Sequence, residues 1–111
     1  MLGRGPLLFV EPALPDSLAD SAPVGSSVPR VDTILIENKG DGDLRWTARA
    51  LHASPWLSLQ PDTGTAGQSA PLQVRADPMG LALGVYRDTV VVSASSGSGV
   101  VEVPVVFRIL P

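Results

Sequence analysis

The amino-acid sequence predicts an all-β chain folded as an antiparallel sandwich, and three observations carry that reading. Apolar and polar residues alternate with a period of two along most of the chain, the signature of strands with one buried face. Glycine and proline each occur 11 times in 111 residues, and they fall between the apolar runs, where turns joining many short strands would need them. No window longer than about ten residues carries apolar positions at helical spacing, so the crossover helices of a parallel sheet are missing.

The elements follow in order. Leu8 and Val10 alternate ahead of Pro12, giving a first strand that proline ends. A loop rich in Pro, Ser, Ala and Asp runs from about Ala13 to Pro29, long enough that Leu14 and Leu18 are expected to tuck against the sandwich edge as a short extra strand. From Val31 to Asn38, Ile34 and Ile36 share one face, with Thr33, Leu35 and Glu37 on the other. Lys39-Gly40-Asp41-Gly42 reads as a tight hairpin turn, followed by a strand with Leu44, Trp46 and Ala48 inward and Arg45, Thr47 and Arg49 outward.

Pro55 introduces Trp56, Leu57 and Leu59, and Pro61 to Ser69 reads as a second turn region. Leu72, Val74 and Ala76 form a strand ended by Asp77-Pro78. A turn over Met79 to Leu83 then leads into Tyr86, Asp88, Val90 and Val92, with Arg87, Thr89 and Val91 on the opposite face. Ser93 to Gly99 is a hairpin tip. The last strand places Val101, Val103, Val105, Phe107 and Ile109 on one face, and Pro104, lacking an amide donor, marks it as an edge at least at that point. About seven to eight strands with frequent turn signals make an immunoglobulin-like antiparallel β-sandwich the expected architecture, with a closed barrel as the alternative.

The ordered set Leu8-x-Val10-x-Pro12, Asn38-x-Gly40, Leu44-x-Trp46, Pro55-Trp56-Leu57-Ser58-Leu59-x-Pro61, Gly64-Thr65, Leu81-x-x-Gly84-x-Tyr86 and Val103-Pro104-Val105-x-Phe107 resembles the BACON-type and related Ig-like modules of multidomain bacterial extracellular and cell-surface proteins. The resemblance covers nearly the whole chain. It implies a sandwich of seven or eight strands, usually found beside glycoside hydrolases, proteases or adhesins, with no established catalytic residues and a suggested role in carbohydrate or mucin binding. The sequence departs from the family pattern at Asp88, where a small residue is usual, and in its long early loop.

Length and charge narrow the function classes. At 111 residues, one domain spanning 1–111 is expected, with a single core and the character of a module from a larger protein. The net charge is −3 and Lys39 is the only lysine, so no clustered positive charge in the sequence suggests nucleic acid. Cysteine is absent, which excludes disulfides, thiolate metal sites and a cysteine nucleophile. No run approaches the ~18 apolar residues of a membrane span, so no membrane insertion is expected. Pro6 to Val10 is too short for the apolar core of a secretory signal, and an export address is expected outside this chain.

Asp62-Thr63-Gly64 matches the tripeptide of aspartic proteases, whose chemistry needs two carboxylates sharing a proton; Pro61 before it and Thr65 after it favour a turn. His52 is the only histidine, so no His-pair metal site is possible, and it reads as a loop residue. Asn38, Asp41 and Asp43 crowd one turn with oxygen ligands but lack the EF-hand spacing. Neither catalytic residues, a metal site nor a cofactor is therefore expected.

Among the aromatic residues, Trp46 and Tyr86 belong to the core by alternation, Tyr86 with its hydroxyl on a backbone partner. If Leu57 and Leu59 face in, Trp56 faces out, which makes it the best candidate for an exposed platform on which a sugar could stack. Arg45 and Arg49 share an outward face, and Arg75, Arg87 and Arg108 also point outward. Trp56, Arg45 and Arg49 are thus the candidate ligand-binding residues. The expected function is a non-catalytic interaction or spacer module, extracellular or on the cell surface, whose partners are neighbouring domains or other proteins. Two alternatives stand beside it: a carbohydrate-binding module acting through Trp56, and a subunit of a surface filament or tail-like assembly that exchanges the edge strand Leu7 to Val10.

Overall fold

Strands form where the alternation places them, and two sheets close on each other with the alternating apolar side chains between them. The computed structural model describes residues 8–11, 17–94 and 99–111. Among these residues the chain builds β1 (Leu8–Glu11), β2 (Leu18–Pro23), β3 (Arg30–Asn38), β4 (Leu44–Ala50), β5 (Leu57–Gln60), β6 (Thr63–Ala66), β7 (Ser69–Ala76), β8 (Gly84–Ala94) and β9 (Val100–Leu110), and no helix. One sheet runs β1-β3-β7-β5 and the other β2-β9-β8-β4-β6. The fold class is the immunoglobulin-like sandwich that the pattern predicts.

The connectivity differs from the sequence expectation, first at the turns between strands. Every step in chain order changes sheet except β8 to β9. The Lys39–Gly42 turn is therefore not a hairpin turn: it carries the chain from β3 in one sheet to β4 in the other. Turn residues and alternating flanks look alike in a hairpin and in an arch between sheets, because both need a reversal and both keep an inward face.

Two further strands refine the count. The turn region after Pro61 contains β6, which pairs with β4 so that Trp46 lies opposite Gly64. Leu18 does reach the core, on β2, which runs parallel to β9 from Leu18 opposite Val105 to Pro23 opposite Leu110; Leu14 lies outside the described residues. Pro104 sits just before that pairing begins, on a stretch of β9 that bonds only to β8 among the described residues. The missing amide is tolerated there, and from Val105 onward β9 is an interior strand.

The core is aliphatic and aromatic. Ile34, Ile36, Leu72 and Val74 from one sheet face Leu44, Trp46, Val90, Val92, Val103, Phe107 and Ile109 from the other. At ~25 cal/mol per Å² of apolar area removed from water, this burial is the main force closing the sandwich.

Candidate functional site

Asp88 is where a carboxylate has to be accounted for, since alternation points it inward between Tyr86 and Val90 and it is only 3% exposed. Its oxygens are occupied by backbone. Oδ1 accepts the N–H of His52 (2.9 Å) and of Thr89 (2.7 Å), and Oδ2 accepts the N–H of Ser54 (3.1 Å). Burial pushes its pKa up, but hydrogen bonds from Ser54 and from the His52 and Thr89 amides outweigh that and leave it below the ordinary 3.8.

The segment it holds is the arch from β4 to β5. Leu51 N–H donates to Thr89 O (2.8 Å) beside it. Between the two clamped amides, Ala53 takes a φ of 51°, a left-handed conformation that costs a non-glycine residue on the order of 1 kcal/mol. His52 is exposed on this arch, as the sequence predicts, and contributes its amide rather than its ring.

Asn38 plays a corresponding part at the β3–β4 arch. Its Nδ2 donates to Gly42 O (2.7 Å) and lies within 3.3–3.4 Å of Gly67 O and Ala66 O on the β6–β7 arch, while its Oδ1 accepts Gly40 N–H (3.0 Å). The side chain considered as a cation ligand is thus an Asx turn that ties two arches together. Among the described residues, no group of three or more His, Cys, Asp or Glu side chains is placed to hold a metal ion.

The aromatic residues settle the platform question. Trp56 is 8% exposed: its ring packs at 5.7 Å from Phe107, tilted by 33°, and edge-on to Tyr86 at 6.2 Å. The expectation that Trp56 faces solvent is therefore corrected. It sits in the turn ahead of β5, where the strand pleat does not govern side-chain direction, so Trp56 and Leu57 are both buried. Tyr86 donates its hydroxyl to Ala82 O (2.8 Å), the backbone partner that the sequence predicts. Trp46 is buried against Gly64, and its Nε1 has no acceptor among the described residues. In the Asp62-Thr63-Gly64 tripeptide, the glycine is floor space for an indole and Thr63 Oγ1 donates to Trp46 O (3.0 Å).

Arg45 and Arg49 lie exposed on the outer face of the β2-β9-β8-β4-β6 sheet, away from Trp56 in the interior. Arg87 and Arg108 are exposed on that same face, whereas Arg75 belongs to the other sheet. Alternation assigns each of them outward; only the sheet order shows which of them share a surface.

At the β2 end of the sandwich, Asp20 and Asp32 occupy inward positions of β2 and β3, and Arg30 Nε donates to Ser21 O (2.9 Å) across the two sheets. The side-chain hydrogen bond with Asp20, reinforced by burial and by the Asp20 charge, raises the pKa of Asp32 from 3.8 to about 6.

Two closed sheets, arches pinned by buried polar side chains and a filled core define an immunoglobulin-like β-sandwich module. The family model described as the viral BACON domain matches residues 19–106, and the chain belongs to that family. No curated protein matches it. Among solved structures, it is similar to a family 123 glycoside hydrolase from Clostridium perfringens (TM-score 0.68, 10% identity), with 86% of this chain covering 23% of that one. It is also similar to SSP-19, an MSP-domain protein like family member of Caenorhabditis elegans (TM-score 0.64, 14% identity, 86% of this chain and 97% of that one). The VesB protease of Vibrio cholerae matches at a TM-score of 0.54 and 13% identity, over 91% of this chain and 31% of that one. At these identities the likeness is one of fold.

Proposed function

We propose that this chain is a non-catalytic interaction or spacer module of a multidomain exported protein, acting outside the cell or on its surface. The observation that carries this reading is where the two buried polar side chains among the described residues go. The Asp88 carboxylate and the Asn38 amide each bind backbone of their own chain, and both indoles fill the core. The groups that a catalyst would aim at a substrate here hold arches in place.

The comparisons support a modular reading. The same fold makes up only 23% of the hydrolase chain and 31% of the protease chain, as expected of a unit that accompanies other domains. The partners are neighbouring domains or another protein, met on the outer sheet faces. Deleting residues 8–110 from the full-length protein tests this: folding and any turnover by the remaining domains should persist, while attachment to the cell surface or to a partner falls. Hydrolysis of glycoside, ester or peptide substrates by the isolated chain would overturn the reading.

A further inference from the structure

The arginines are scattered in the sequence and gathered in the fold. The register gives their layout: Arg49 lies opposite Val91, Arg87 is four residues beyond Val91 on β8, and Arg108 lies opposite Val85. Arg45, Arg49, Arg87 and Arg108 therefore follow a diagonal across β4, β8 and β9. At ~3.3 Å per residue and ~4.8 Å per strand this track is roughly 30–35 Å long, with its first two steps about 13 Å each. Thr47 stands between the first two arginines, and Thr89 between the second and third.

All four arginines are exposed, and among the described residues none has a side-chain ion pair or hydrogen bond. Among the described residues the outward strand positions of this face hold one acid, Glu102 on β9 opposite Val91, while Asp20 of β2 lines a cleft beside Arg108. One sheet face is thus cationic on a chain whose net charge is −3, a segregation that draws anions to that face.

We infer that the outer face of the β2-β9-β8-β4-β6 sheet binds a linear acidic polysaccharide, its carboxylate or sulfate groups paired with Arg45, Arg49, Arg87 and Arg108 and its hydroxyls meeting Thr47 and Thr89. Three features select this occupant. Both tryptophans are buried and the exposed Phe9 lies on the other sheet, so on this face a neutral sugar finds no ring to stack on and a nucleobase no platform. The guanidinium fork pairs bidentately with carboxylates and sulfates, which favours an anionic ligand. The track runs over the flat of the sheet and not its edge, so a peptide laid along it finds no strand edge to pair with and gains none of the main-chain hydrogen bonds of strand addition.

This inference rests on the interaction-module reading but can fail alone, since a protein-binding module without affinity for polysaccharide would leave that reading intact. The test titrates the full chain with a sulfated glycosaminoglycan, with neutral dextran, with poly-glutamate and with duplex DNA, at low and moderate salt. The glycosaminoglycan is expected to bind more tightly than the other three, with affinity falling as salt rises. Arg45→Glu/Arg49→Glu should weaken binding by about tenfold or more, while Arg75→Glu on the opposite sheet changes it less than twofold. Thermal melting of each variant separates lost binding from lost fold, and Arg87→Glu, alone on β8, serves as a second probe if the double variant unfolds. Equal binding by the charge-reversed variants, equal or tighter binding of dextran, poly-glutamate or DNA, or no glycosaminoglycan binding at millimolar concentration would overturn it.

Discussion

Asp88 shows how much one side chain can determine in a sandwich of this size. Its carboxylate takes three amides, two of them from an arch between sheets that also contains a left-handed alanine. Asp88→Asn keeps the volume but replaces one acceptor oxygen with a donor facing the Ser54 or the His52 amide. Unfolding in urea should show a loss of about 2–4 kcal/mol, the cost of a charge-assisted bond plus an unpaired buried amide; a loss under 1 kcal/mol would mean that the arch holds without the carboxylate. Gly64 is decisive for a steric reason. A Cβ there would lie 2.8 Å from Trp46 Cζ2 and 3.0 Å from Cε2, and the indole is sealed in the core with nowhere to move. Gly64→Ala should therefore cost about 1–3 kcal/mol, as overpacking does, and should shift the near-UV signal of Trp46, whereas Gly67→Ala, with its nearest contact at 3.8 Å, should leave that signal unchanged.

Among the elements, the strands were legible because alternation is a local property, and the connections were not because sheet membership is a global one. Ile34, Ile36, Leu44, Trp46 and Val90 face inward as the period of two requires, yet nothing in Lys39-Gly40-Asp41-Gly42 says whether the chain returns to the same sheet or crosses. The crossing becomes intelligible only through Asn38, which bonds to its own turn and reaches the β6–β7 arch. Trp56 departs from the pattern for a related reason: it lies one residue ahead of the strand whose pleat imposes alternation. In the same way the outward arginines were legible singly, while the track they form depends on which strands neighbour each other. Asn38→Ala should test the arch reading at the element scale. It removes the acceptor of Gly40 N–H and the donor to Gly42 O, so the Gly40 amide should lose protection in hydrogen exchange while amides in the middle of β8 and β9 keep theirs, with a loss of about 1–3 kcal/mol overall. Uniform loss of protection would assign Asn38 to the global core instead.

For the whole molecule, two carboxylates set opposite slopes of stability against pH. Asp32, raised to about 6 by its hydrogen bond with Asp20, by burial and by the Asp20 charge, binds its proton more tightly when the chain is folded. Its contribution is fully present below the unfolded value near 3.8 and is lost as the pH rises through about 6. Asp88 is held below 3.8, so its contribution is present above that value and is lost as the pH falls through its folded pKa. Together they place the stability maximum contributed by these two groups close to pH 4, with a decline toward neutrality. Arg30, whose guanidinium donates to Ser21 O beside Asp20, modifies the depth of that decline but not its sign. Urea midpoints at pH 3, 4.5 and 7 should be highest at the middle value. Asp32→Asn, which supplies a permanent donor to Asp20, should abolish the drop between pH 4.5 and 7 while leaving the acid-side loss in place, because that loss belongs to Asp88 at the other arch. A drop that survives in Asp32→Asn would show that the two inward aspartates do not share a proton across the sheets.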